Sequence, residues 1–172
     1  LVAGPTHLAT PVGAKRVDVR TVEEMRDAVL EVSSTADVLL MAAAVGDYGP
    51  VERAAEKMKK RADDVTLRLT RTPDVLAAVA EQRAGTGRPR VVVGFAAETE
   101  HLLENARQKL AAKNLDLIVA NDVTAADAGF GVETNRVVLL TAGGEPTELP
   151  LMSKSAVAER ILDRVVELLA AA

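Results

Sequence analysis

This 172-residue chain predicts an α/β fold with a mostly parallel sheet, helices on both of its faces, and an antiparallel hairpin near the C-terminus. Three observations carry that expectation. Short apolar runs such as Val38 to Val45 and Arg90 to Ala96 alternate with longer segments of helical period. Those runs are apolar at successive positions, so both faces seek cover, as strands of a parallel sheet do. Late in the chain, Arg136 to Thr141 and Thr147 to Leu151 flank Ala142-Gly143-Gly144-Glu145, a hairpin pattern.

In chain order, Leu1-Val2-Ala3 is a strand end running into the turn signal Gly4-Pro5-Thr6. Arg16 to Val19 is a short strand. Thr21 and Glu24 have capping-box spacing ahead of a helix that turns Met25, Ala28, Val29 and Val32 inward. Val38 to Val45 is a strand buried on both faces, and Asp47 lies just beyond its carboxyl end. Val65, Leu67 and Leu69 alternate with Thr66, Arg68 and Thr70, giving a strand with one wet face. Thr72 is an N-cap followed by Pro73 at the first helical position, with Val75, Leu76 and Val79 on the inner face. The strand Arg90 to Ala96 leads to an amphipathic helix from Glu100 to Lys113, then a strand from Leu115 to Ala120 ending in Asn121-Asp122. Residues 123–135 are polar and contain glycine, hence a loop. A helix after Ser153 closes the chain, with Val157, Ile161, Val165, Leu168 and Leu169 inward.

Composition narrows the function. The chain is one domain by length, 48% apolar and 27% charged, with net charge −4. That mild acidity, with one tyrosine, two phenylalanines and no tryptophan, argues against nucleic-acid binding. The absence of cysteine excludes disulfides and thiolate metal sites, and His7 and His101 are the only histidines, so no metal site is expected. No apolar run approaches the roughly 20 residues that cross a bilayer, and no signal-peptide pattern opens the chain, so the expected location is cytoplasmic.

Ligands of parallel α/β sheets bind at the carboxyl ends of the strands. Four such ends carry chemistry here: Gly4-Pro5-Thr6, Asp47, Phe95 to Glu98, and Asn121-Asp122. Ten residues after Asp47 comes the basic run Lys57-Met58-Lys59-Lys60-Arg61. A carboxylate can hold a sugar hydroxyl or a metal, and lysines neutralise phosphate charge, so the pair suits a polyphosphate substrate. The plainer reading of the run is a solvated loop. Lys109 and Lys113, one turn apart on a helix, read equally as a solvated stripe. Asn121-Asp122 reads as a substrate contact or a turn cap. No G-x-G-x-x-G or Walker sequence occurs, which disfavours a dinucleotide dehydrogenase. The chain opens within a strand, without the glycine-rich turn that begins doubly wound nucleotide folds, so an N-terminal truncation is expected.

Read together and in order, several stretches resemble the phosphopantothenoylcysteine synthetase domain of bacterial bifunctional coenzyme A biosynthesis proteins. They are Ala42-Ala43-Ala44-Val45-Gly46-Asp47-Tyr48, Glu56 to Lys60, Thr72-Pro73-Asp74-Val75-Leu76, Val93 to Thr99, Ala106 to Lys109, and Lys113 to Asp122. The resemblance implies a single, Rossmann-like synthetase domain over residues 1–172. It also implies a ligase that joins 4′-phosphopantothenate to cysteine, using CTP with Mg²⁺, through an acyl-cytidylate. FMN is implied only if a decarboxylase domain is fused upstream.

Carried over by residue, Met41, Ala42, Ala43 and Asp47 would line the cytidine pocket. Lys57 would act catalytically from a mobile lid, and Pro73, Asp74, Val75 and Leu76 would offer backbone N–H groups to the nucleotide. Phe95 would pack near the base, with Lys109 and Lys113 reaching toward the CTP. Gly46 and Gly49 stand where the family has alanine and arginine, which predicts a less constrained loop after Asp47. The alternative is a non-catalytic binding or oligomerisation module. The resemblance implies a homodimer, and residues 123–152 are its expected interface. Val137 to Leu140 is apolar on both faces, and no helix obviously covers it. The other reading folds that hairpin back over its own sheet.

Overall fold

The computed structural model describes residues 1–52, 56–59, 64–98, 101–122 and 131–171, with side chains for all of these except Glu98 and Asp122. The elements in order are β1 (Val2–Ala3), β2 (Val17–Asp18), α1 (Val22–Ser33), β3 (Val38–Met41), β4 (Tyr48–Pro50) and β5 (Leu69–Arg71). They continue with α2 (Val75–Thr86), β6 (Val91–Glu98), α3 (Leu102–Ala112), β7 (Leu117–Asp122) and β8 (Thr134–Asn135). Last come β9 (Val137–Thr141), β10 (Thr147–Glu148), β11 (Met152–Ser153) and α4 (Lys154–Ala171). The chain divides into two compact units, Leu1–Ala28 with Ala43–Val75, and Val29–Ala42 with Leu76–Ala172.

The second unit holds the main sheet, in the order β10-β9-β7-β6-β3. β3, β6 and β7 run parallel, with Met41 opposite Gly94 and Ala97 opposite Asn121. β9 joins β7 antiparallel, Leu139 facing Val119, and β10 folds back on β9. On one face, Val91, Val93, Leu117, Val119, Val137 and Leu139 pack with Val157, Ile161 and Val165 of α4, and Leu168 and Leu169 close the cluster. Pleating turns Val92, Ile118 and Leu140 to the other face, and α3 lies on β6, β7 and β9 with Ala106 and Leu110 buried. The fold is therefore the mixed α/β architecture expected, with an antiparallel edge on a parallel centre.

Several expectations are corrected here. β3 stops at Met41 instead of running to Val45, and Leu40 is 44% exposed, because β3 ends the sheet and pairs only with β6. The apolar run Val137 to Leu140 is no exposed ribbon: Val137, Leu139 and Leu140 are buried by β7 and by α4 or α3. β9 thus packs within the chain's own sheet, while β10 beyond it is an exposed edge strand. Within 123–135, Thr134-Asn135 forms β8 and pairs with β11 rather than staying a loop, while 123–130 lie outside the described residues. At the end of α1, Ser33 takes the inward position and Val32 is 44% exposed, because Met25, Val29 and Ser33 repeat at four residues. Buried Ser33 is satisfied: it donates to the Leu30 carbonyl at 3.4 Å and accepts from Gln82 Nε2 at 3.2 Å.

In the first unit, β1 and β2 pair in parallel. The capping box is formed: Glu24 N–H donates to Thr21 Oγ1 at 3.1 Å, and the Glu24 carboxylate accepts from the backbone of Thr21 and Arg20. β4 and β5 make a two-stranded antiparallel ribbon with Tyr48 opposite Arg71. The expected strand over 65–70 is reduced to this ribbon's 69–71, and Val65, Leu67 and Leu69 are all more than half exposed, so neither face is a buried one.

Candidate functional site

In the second unit the parallel strands deliver their carboxyl ends side by side. Met41 is buried at the end of β3, and Ala42 follows it exposed. β6 carries Phe95, half-buried against the α4-side core, one residue past Gly94. Gly94 sits at a close approach: a Cβ there would meet Leu115 Cδ1 at 2.5 Å, and Leu115, being buried, would have to shift to admit it. Asn121, one residue before the end of β7, has a buried Oδ1 with no hydrogen-bond partner among the described residues. An unsatisfied acceptor at a strand's carboxyl end is a group waiting for a donor.

Lys109 reaches these strand ends from α3. Its Nζ donates to the Phe95 carbonyl at 2.8 Å, a partly buried bond that uses one of three N–H groups. A cation is therefore fixed beside Phe95 within β6, one residue past the last β3–β6 pair, Met41 with Gly94. Lys113 sits at the C-cap of the same helix, its backbone N–H donating to the Lys109 carbonyl at 3.0 Å. Beyond it, Asn114 is left-handed at φ 50°, and the bonds Asn114 N–H to Ala111 O and Leu115 N–H to Leu110 O form a Schellman ending. That ending fixes where α3 stops and where the lysines lie.

The first unit holds Ala43, Asp47, Lys57, Pro73, Asp74 and Val75. The Asp47 carboxylate is exposed, on the loop that enters β4. Thr72 does not cap α2, which begins three residues later at Val75. Its hydroxyl instead donates to the Gly46 carbonyl at 2.6 Å, and its backbone N–H donates to the Asp47 carbonyl at 3.0 Å. The loop predicted to be loose is clasped, and Gly49 lies inside β4 with Thr72 Cγ2 alongside it. Pro73 and Asp74 precede the helix, so of the four residues expected to offer first-turn N–H groups only Val75 and Leu76 are helical; Leu76 belongs to the second unit. Lys57 and Lys59 are exposed, while Lys60 and Arg61 lie outside the described residues.

At the opposite, amino end of β7, Arg83 forms a salt bridge with Asp116 at 2.9 Å, and Asp116 also accepts from the Val92 N–H at 2.7 Å. A cleft of about 270 Å³ opens near that end, between α3 and the β9–β10 turn. None of the sequence-predicted residues lines it. Among the described residues, no three histidine, cysteine, aspartate or glutamate side chains gather to hold a metal ion. No helix there is long and apolar enough to cross a membrane.

Comparison with known proteins sets this geometry in a family. Residues 1–169 match the model of the DNA/pantothenate metabolism flavoprotein C-terminal domain. The chain is 44% identical over 169 residues to the coenzyme A biosynthesis bifunctional protein CoaBC of Bacillus subtilis (strain 168), covering 98% of this chain and 41% of that protein. It is 43% identical over 169 residues to CoaBC of Escherichia coli (strain K12), covering 96% of this chain and 41% of that protein. The chain thus spans about two fifths of the length of these relatives. A crystal structure of the C-terminal domain of CoaBC superposes with a TM-score of 0.79 at 33% identity, covering 99% of this chain and 74% of that one. The DNA/pantothenate metabolism flavoprotein from Streptococcus pneumoniae shares the fold, with a TM-score of 0.74 at 20% identity, over 96% of this chain and 79% of that one. The chain belongs to the family of DNA/pantothenate metabolism flavoprotein C-terminal domains.

Proposed function

We propose that this chain is the synthetase part of coenzyme A biosynthesis, a ligase that joins 4′-phosphopantothenate to cysteine at the expense of CTP. The observation that carries the reading is the 44% identity to CoaBC over 98% of the chain. The chemistry has two steps. A carboxylate oxygen of phosphopantothenate attacks the α-phosphorus of CTP and pyrophosphate leaves, giving an acyl-cytidylate. The cysteine amine then attacks the acyl carbon, CMP leaves with the bonding pair, and the amine loses a proton as the amide forms.

The side chains suit those steps. Met41, Ala42 and Ala43 give the cytidine an apolar border, and the Asp47 carboxylate accepts from ribose hydroxyls. Phe95 packs against the base. Lys109 and Lys113 neutralise phosphate charge, with Val75 and Leu76 supplying N–H donors where α2 begins. Lys57 stabilises the charge that develops during acyl transfer, acting from a lid that excludes water from the acyl-cytidylate. With no acidic cluster among the described residues, Mg²⁺ belongs on the triphosphate as part of the substrate. The enzyme works as a cytoplasmic homodimer.

A pyrophosphate-release assay with 4′-phosphopantothenate, CTP and Mg²⁺ tests the reading. Release that depends on phosphopantothenate, followed by amide formation when cysteine is added, is the expected result. CTP binding without any release would leave a nucleotide-binding module in place of a ligase.

A further inference from the structure

We propose that Thr72 is a positioning residue for Asp47, acting through the backbone on both sides of that carboxylate. The inference rests on the nucleotide role given to Asp47 above. The peptide units flanking the Asp47 Cα end in the carbonyls of Gly46 and Asp47. Thr72 holds both, its hydroxyl on the first at 2.6 Å and its N–H on the second at 3.0 Å. With both carbonyls fixed, the two backbone torsions of Asp47 are fixed, and with them the direction of its Cα–Cβ bond. The neighbour that most needs such restraint is Gly46, which has no Cβ to limit its own torsions and where a Cβ would meet nothing nearer than the Tyr48 carbonyl at 3.8 Å.

The same residue is tied to the start of α2. Pro73 and Asp74 follow Thr72 directly and lead into α2 at Val75. Beyond the clasp the chain continues in register, Tyr48 opposite Arg71, so the clasp closes the open end of the β4–β5 ribbon. A threonine suits the place on both of its branches. The hydroxyl faces Gly46, and the methyl lies 3.4 Å from where a Cβ on Gly49 would stand. An N-capping threonine would instead accept from N–H groups of the first helical turn, a role that leaves the hydroxyl proton undirected.

Two substitutions separate the branches. Thr72→Val keeps the shape, the methyl and the backbone N–H but loses the hydroxyl; Thr72→Ser keeps the hydroxyl. In calorimetry with CTP and Mg²⁺, Thr72→Val is expected to weaken binding roughly three- to tenfold, the size of one hydrogen bond, and Thr72→Ser to bind as the parent does. In an Asp47→Ala background, Thr72→Val should change affinity no further, because its effect passes through Asp47. If Asp47→Ala binds like the parent, the nucleotide role of Asp47 fails. If Asp47→Ala weakens binding while Thr72→Val does not, or if Thr72→Val weakens it equally in both backgrounds, the positioning role fails. A readout independent of nucleotide is the backbone order of Asp47 and Tyr48 by amide NMR relaxation. It should fall in Thr72→Val and recover in Thr72→Ser, and unchanged order in Thr72→Val would overturn the proposal.

Discussion

Single residues were legible where their partners are close in sequence. Thr21 and Glu24 announce a capping box because both its bonds span three residues. Thr72 gave the local signal of a cap, yet its hydroxyl goes to a carbonyl 26 residues earlier, which no local pattern encodes. The tether from Lys109 to the Phe95 carbonyl is hidden for the same reason, since helix periodicity shows a lysine's face and not its acceptor. Glycine inside an apolar strand does signal close approach, and Gly94 against Leu115 is such a case. Gly94→Ala should therefore cost about 1–3 kcal/mol by overpacking, read as a lower Tm. Unchanged stability would mean that Leu115 moves aside freely. Lys57 offers the opposite test, because its side chain is exposed and its loss should leave Tm unchanged. Lys57→Gln should lower turnover by a factor on the order of 10², as removal of a charge-stabilising group does. Kinetics equal to the parent's would make Lys57 solvated charge only.

At the scale of elements, pattern identified helices and parallel strands well and sheet order poorly. α4 buries the inner face its 3.6-residue period predicts, with Val157, Ile161 and Val165 buried. The run Val137 to Leu140 revealed that both its faces want cover, but not that its cover is β7 with a helix on each side. Period-2 alternation over 65–70 misled, because a strand's wet face and a fully solvated ribbon carry the same polar residues. At the amino end of the main sheet, Asp116 links α2 to β6 and β7 through Arg83 and the Val92 N–H. Asp116→Ala should cost about 1–3 kcal/mol, since it leaves the part-buried Val92 N–H without its acceptor and removes the charge partner of Arg83, which keeps only the Asn114 and Arg90 carbonyls. Asp37→Ala, which breaks the more exposed pair with Arg88, should cost only about 0–1 kcal/mol. Equal losses in urea denaturation would contradict this ranking.

On the scale of the whole molecule, the sequence carried the α/β class, and the family match runs over residues 1–169. What it could not carry is the division into two units, because the candidate residues lie in both and their periodicity is blind to that. The dimer stands on the resemblance alone: β9 is covered by its own chain, and the hairpin's turn and β10 are exposed. Light scattering should give about twice the 18.1 kDa chain mass, and a monomer mass would remove the dimer. Val138→Arg is a poor probe of assembly, because β9 is an inner strand whose disruption perturbs the fold first. Whether this chain binds CTP is read most directly by calorimetric titration with CTP and Mg²⁺, set against NAD. Saturable binding of CTP that weakens in Asp47→Ala and in Lys109→Met is expected, with NAD far weaker. No CTP binding, or equal affinity for NAD, would contradict that expectation.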